Sequence, residues 1–213
     1  MRNTKEILEI MEIFNQRDPN PRCELDFHNA YTLLVAVILS AQSTDKGVNK
    51  ATKELFKIAD TPQQILALGL DKLKEYIKTI GLYNNKAKNI MAMSRELVEK
   101  HNGEVPSDRT ALESLAGVGR KTANVVLNVW FDKPTIAVDT HVFRISHRLD
   151  FSQGKNPLEV EKDLNSVLPD KFKKNANHWL VLFGRYVCKA QNPDCANCPI
   201  AAYCHNKDKK IRN

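Results

Sequence analysis

Glycine is scarce in this chain, with 8 in 213 residues, and aromatic side chains make up only 7%. No stretch alternates apolar and polar residues over a strand length, so no sheet is predicted and only Thr135 to Val138 reads as extended. The longest apolar run, Tyr31 to Leu39, is far short of the ~20 residues that span a bilayer, which excludes a membrane-spanning class. The chain opens on no cationic stretch followed by an apolar signal core, so a cytoplasmic protein without a membrane partner is expected. Internal repeats and low-complexity segments are also missing.

What is present points to helices. Hydrophobic residues make up 42% of the chain, enough for the core of one large domain or two small ones. A formal charge of +7 favours an anionic partner, although charge of this size also occurs on ordinary soluble proteins. Ile7, Ile10, Met11 and Phe14 have helical spacing behind the cap pair Asn3 and Glu6, and Asp18-Pro19-Asn20-Pro21 closes that helix. Asn29 to Ser40 is apolar nearly all round and predicts a buried central helix. Pro62 opens a short helix stopped near Gly69, Asp71 to Ile80 forms another, and residues 86 to 101 form an amphipathic one. Further helices follow Asn156-Pro157 and run from Asn177 to Val187, giving an all-α expectation.

The most informative stretch is Leu115-Ala116-Gly117-Val118-Gly119-Arg120-Lys121, which runs straight into the helical segment ending at Trp130. It predicts a helix, a hairpin and a helix. Gly117 and Gly119 permit a tight reversal and leave amides unpaired at the second helix's N-terminus. Those amides, with Arg120 and Lys121 beside them, suit a phosphate oxygen, a contact that positions DNA without reading its sequence. The glycines alone favour an ordinary turn between helices with a solvated Arg-Lys pair. Downstream, Asp139 fits the N-cap of a basic helix that starts at Thr140 and holds Arg144, His147 and Arg148. A helix over residues 120 to 131 rises ~18 Å. Pro134 to Val138 in extended form returns roughly 16 Å, so the Asp139 carboxylate can come back to the Lys121 ammonium.

Two polar turns interrupt the helices, Ala41-Gln42-Ser43-Thr44-Asp45 and Gly81-Leu82-Tyr83-Asn84-Asn85-Lys86. By themselves they make Gln42 a loop residue, Thr44 or Asp45 a helix cap, and Leu82 a side chain packed under its loop. Four of the five cysteines fall in one loop, with six residues between Cys188 and Cys195, two between Cys195 and Cys198, and five between Cys198 and Cys204. Cys23 is remote, and disulfides do not suit a chain without an export signal. One short pair flanked by longer arms departs from the usual structural zinc site, and four thiolates so placed can ligate a four-iron, four-sulfur cluster. Zinc stays open as the alternative.

These motifs, in this order from Tyr31 to Cys204, resemble the endonuclease III family of DNA glycosylases. The family's hairpin commonly reads L-P-G-V-G before a catalytic lysine, which is Lys121 here, while Ala116 replaces the proline. Val138-Asp139-Thr140-His141-Val142-Phe143-Arg144 looks like the family's catalytic aspartate segment. Ser40 to Asp45 matches its S-A-Q-x-T-D segment, which implies that Gln42 enters the duplex gap left by an extruded base and that Leu82 wedges into the base stack. The resemblance assigns Cys188, Cys195, Cys198 and Cys204 to a 4Fe-4S cluster, whose loop would hold Lys189 and Lys207 toward phosphates. It implies a two-domain helix-hairpin-helix glycosylase fold. A six-helix barrel would span residues 22–133, ending in the hairpin of Gly117, Gly119 and Arg120. The cluster domain would comprise residues 1–21 and 134–213, with Lys121 and Asp139 facing each other across the cleft. The implied activity is removal of oxidised pyrimidines from duplex DNA by base flipping, through a lysine imine, followed by β-elimination at the abasic site. Asp139 would offset positive charge on the sugar and assist proton transfers. A monomer associated with the nucleoid is expected. Adenine-removing relatives share the hairpin, aspartate and cluster but lack the lysine. The alternatives are a monofunctional glycosylase of the same superfamily, a non-catalytic zinc-carrying DNA-binding module and an electron carrier.

Overall fold

A computed structural model describes residues 2–206. The described residues form α1 (Thr4–Arg17), α2 (Ala30–Ser40), α3 (Asp45–Ile58), α4 (Pro62–Leu68), α5 (Leu70–Ile77), α6 (Tyr83–His101), α7 (Arg109–Glu113), α8 (Arg120–Val129), α9 (Thr140–Arg148), α10 (Pro157–Val167), α11 (Asp170–Tyr186) and a 3-10 turn at Ala201–Tyr203. No strand occurs among them, and none of their helices is long and apolar enough to cross a membrane. The chain divides into two compact units, one from Cys23 to Lys133 and the other from the residues up to Arg22 together with those from Pro134 onward.

In the Cys23–Lys133 unit, α2 is the central element. Every side chain from Tyr31 to Leu39 is buried, because α3, α6 and α8 all pack on it. Burying side chains such as Leu33, Leu34 and Leu39 stabilises the fold by about 1.5–3 kcal/mol each before chain entropy is set against it. The helix starts sharply at a capping box in which Asn29 and Thr32 bond reciprocally. Tyr31 reaches the buried Ser94 hydroxyl on α6 at 2.5 Å, and burial pushes its phenol well above the usual range.

Two boundaries in this unit differ from the sequence expectation. α5 stops at Ile77 rather than Ile80, since Ile80 N–H bonds Ile77 O at 2.9 Å and the chain tightens into a turn that buries Ile80. α6 begins at Tyr83, one turn early, from a left-handed Leu82.

The other unit packs α9 against α11, with α10 on α9 and α1 on α11. Phe14 lies against Phe183 and Trp179, with ring centroids 5.2 and 6.5 Å away, and Trp179 Nε1 donates to Asp18 O at 2.7 Å. α11 starts at Asp170, well before Asn177, because Phe172 and Ala176 continue the buried stripe of Trp179, Leu180 and Phe183. The segment before α9 is buried at Ile136, Ala137 and Val138, and Asn177 Oδ1 pins it by accepting from Ala137 N–H at 2.9 Å.

Candidate functional site

The hairpin forms as its sequence predicts. Asp108 caps α7 by accepting from Ala111 N–H at 2.9 Å, and Leu115 and Val118 N–H groups bond Leu112 O and Leu115 O at 3.1 Å each. Leu115 and Val118 are buried and anchor the turn to the core. Gly117 has φ +77, and a Cβ there would stand 2.8 Å from Asn89 Cβ on α6, so conformation and space both demand glycine. Gly119 is the N-cap of α8 and supplies no side-chain cap bond. The exposed Arg120 and Lys121 therefore begin a helix whose first amides have no capping oxygen from Gly119. Where the sequence has Ala116 instead of proline, its N–H donates to Glu96 Oε2 on α6 at 2.8 Å. Proline has no such donor.

The two polar turns lie against each other in the same unit. Gln42 and Leu82 both have left-handed backbones, at φ 57 and 58, and both are exposed. Leu82 is 58% exposed, so it does not pack under its loop. Thr44 caps α3 by accepting from Gly47 N–H. A Cβ on Gly81 would touch the Gln42 carbonyl at 3.6 Å.

Sequence reading missed the group that ties these turns together, Lys86. Its residue is 6% exposed, and its ammonium donates to Leu39 O at 2.9 Å, to Ala41 O, and to Ser43 Oγ at 3.4 Å. Burial pushes this ammonium below the usual lysine range. A signal existed: Lys86 shares the apolar face of α6 with Ile90, Met93 and Leu97. A cation in that position asks for buried acceptors.

Asp139 belongs to the other unit. It is half-buried, caps α9 by accepting from Val142 N–H on Oδ1 at 2.8 Å, and is held from behind by the buried Ile136 to Val138 segment. The carboxylate keeps a second oxygen for further chemistry. Arg144 and Arg148 on the same helix reach the end of α11. Arg144 donates to Gly184 O at 2.8 Å and to Cys188 O, and Arg148 donates to Lys189 O at 2.7 Å and contacts Cys188 Sγ at 3.4 Å. The Lys189 side chain is exposed, whereas Lys207 lies outside the described residues.

Cys188, Cys195, Cys198 and Cys204 together line one pocket with Leu149, Phe183 and Ile200 among its walls, and none is in a disulfide. Burial, with the other three cysteines as lesser contributors, pushes the Cys198 thiol up. Four thiols around one pocket with an apolar wall fit the cluster.

Residues 35–170 match the model of the HhH-GPD superfamily base excision DNA repair proteins, and residues 188–204 match the iron-sulfur binding domain of endonuclease III. Endonuclease III of Haemophilus influenzae is 57% identical over 98% of this chain and 99% of its own length. This chain belongs to the endonuclease III family. Endonuclease III of Escherichia coli K12 is 54% identical, over 97% of this chain and 98% of that protein. A trapped endonuclease III–DNA covalent intermediate in an estranged-adenine complex superposes with a TM-score of 0.93 at 46% identity, covering 100% of both chains. A thermostable thymine-DNA glycosylase, 23% identical and covering 97% of this chain and 98% of that one, shares the fold with a TM-score of 0.82. The all-α helix-hairpin-helix glycosylase fold and the 4Fe-4S cofactor of the endonuclease III family follow for this protein, the latter at the cysteines of residues 188–204.

Proposed function

We propose that Lys121 is the nucleophile and Asp139 its acid-base partner in base excision by this protein. As a member of the endonuclease III family it is a DNA glycosylase with abasic-site lyase activity, removing oxidised pyrimidines from DNA. The observation that carries the assignment is the exposed Lys121 at the start of α8, directly behind a hairpin whose glycine cap leaves the helix N-terminus open. That N-terminus, with Arg120, receives a backbone phosphate and so sets the lysine beside the sugar. The neutral amine of Lys121 attacks the sugar carbon bearing the damaged base. The C–N bond to the base breaks and the base leaves with its electron pair and a proton. The bond from the same carbon to the ring oxygen then opens, the oxygen taking a proton, and leaves an imine to Lys121. That imine acidifies the neighbouring sugar proton, and loss of the proton expels the 3′ phosphate by β-elimination. Asp139 offsets positive charge on the sugar and relays protons. Gln42 and Leu82 occupy the duplex where the flipped nucleotide was, and Gly117, Gly119, Arg120 and Lys189 hold phosphates. The cluster, when bound at Cys188, Cys195, Cys198 and Cys204, supplies a cross-link that folds its loop and keeps Lys189 facing DNA. We place the protein in the cytoplasm with the nucleoid, acting as a monomer, on a barrel domain of residues 22–133 and a cluster domain of residues 1–21 and 134–213.

Borohydride trapping on a duplex with one oxidised thymine or one abasic site tests the nucleophile. The parent protein forms a covalent complex and Lys121→Ala forms none, while its melting temperature stays at the parent value because the side chain is exposed. Equal trapping by both proteins would remove Lys121 from the mechanism. Asp139→Asn separates structure from chemistry, since asparagine caps a helix as well as aspartate does. Its stability is retained and its turnover falls by roughly 10²–10⁴; unchanged turnover would leave Asp139 as a cap alone.

A further inference from the structure

We infer that Lys86 is a positioning residue that yokes the Gln42 turn to the Leu82 turn, so that the two exposed side chains enter DNA as one rigid unit. The inference rests on the reading of Gln42 and Leu82 as the residues that enter the duplex.

One residue is bonded to both turns. The backbone N–H of Lys86 donates to Leu82 O at 3.1 Å. Its side-chain ammonium donates to Leu39 O, Ala41 O and Ser43 Oγ, which flank Gln42 on either side. Three donors meet three acceptors, so the buried cation is fully satisfied without a carboxylate. Two of the acceptors are carbonyls at the C-terminal end of α2, where the helix leaves orphan acceptors and a partial negative charge that favours a cation.

The turns it joins are in conformations that need such support. Left-handed φ at a non-glycine residue persists only where the surroundings over-determine it, and Gln42 and Leu82 both have it. Gly81 lets the second turn approach the Gln42 carbonyl directly. A methionine at position 86 would fill the same space without desolvating a charge, but it would leave Leu39 O and Ala41 O without this donor. Lysine both satisfies those carbonyls and holds the two turns in one fixed geometry.

The test compares the ratio of affinities for a duplex with a tetrahydrofuran abasic analogue and for the same duplex undamaged, at one salt concentration. The proteins are the parent, Gln42→Ala, Lys86→Met and the double variant, each checked for fold by circular dichroism and melting. Gln42→Ala and Lys86→Met are each expected to lower the preference for the abasic duplex about 10-fold, with the double variant no worse than either single one, and Lys86→Met is expected to keep affinity for undamaged DNA near the parent value. Full preference in Gln42→Ala would overturn the reading of Gln42 itself. Loss in Gln42→Ala with full preference in Lys86→Met, or losses that multiply in the double variant, would overturn the yoke. Should Lys86→Met fail to fold, Lys86→Arg is read in the same cycle: it keeps a cation but cannot place three donors on one point, and is expected to show the same non-additive loss.

Discussion

The hairpin at residues 115–121 and the cysteine loop at residues 188–204 are both short irregular stretches attached to helices, and they are held in opposite ways. The hairpin is held by packing and hydrogen bonds of the chain itself: Leu115 and Val118 sink into the core, Gly117 fits against Asn89, and Glu96 holds Ala116. The loop has little of this kind. Ile200 is its one deeply buried side chain among the described residues, the Cys198 N–H to Cys195 O bond is stretched to 3.4 Å, and its firmest outside support is Arg148 on α9, which donates to Lys189 O at 2.7 Å. A segment that buries so little apolar surface cannot offset the entropy of its own ordering, so ligation of its cysteines must do so. On the proposed assignment the nucleophile Lys121 sits on the self-supporting region, and the loop holds positioning charge.

The sharpest way to break this comparison is Cys198→Ser. Iron and visible absorbance are expected to disappear from the purified protein, and protease is expected to cut between residues 188 and 204, while hydrogen exchange in the hairpin keeps the parent rate. Simultaneous loss of hairpin protection would show that the two regions are not separately held. Gly117→Ala acts on the other side. A Cβ at φ +77 against Asn89 should destabilise the protein by about 2 kcal/mol and weaken DNA binding, with iron content at the parent level. A variant as stable as the parent would mean the turn can relax. The smallest effect probes Ala116. Ala116→Pro removes the donor to Glu96 but stiffens the turn, so stability should stay within ~1 kcal/mol of the parent. Glu96→Gln should cost ~1 kcal/mol in the parent and nothing in the Ala116→Pro background. Equal costs in both backgrounds would place the role of Glu96 elsewhere.

Much of the architecture was legible from local chemistry. Asn3, Asn29, Thr44 and Asp139 act as the N-caps their residue types suggest, and the buried run of α2 lies at the centre of its unit. Capping, turn glycine and cysteine spacing are properties of neighbours in the chain, so a sequence displays them directly. Leu82 was undecided between a packed and an exposed side chain, because nothing local says which way a turn faces.

The sequence by itself determined the all-helical class, several caps, the glycine hairpin, the four-cysteine loop and the family, but not every helix end. Tertiary structure alone decided that Lys86 meets carbonyls 45 and 47 residues earlier in the chain, and that Glu96 accepts from the Ala116 N–H. The reason is physical. A lysine or a glutamate on a helix is written identically whether it faces water or a buried acceptor, and only the packing of one helix against another element decides which it meets.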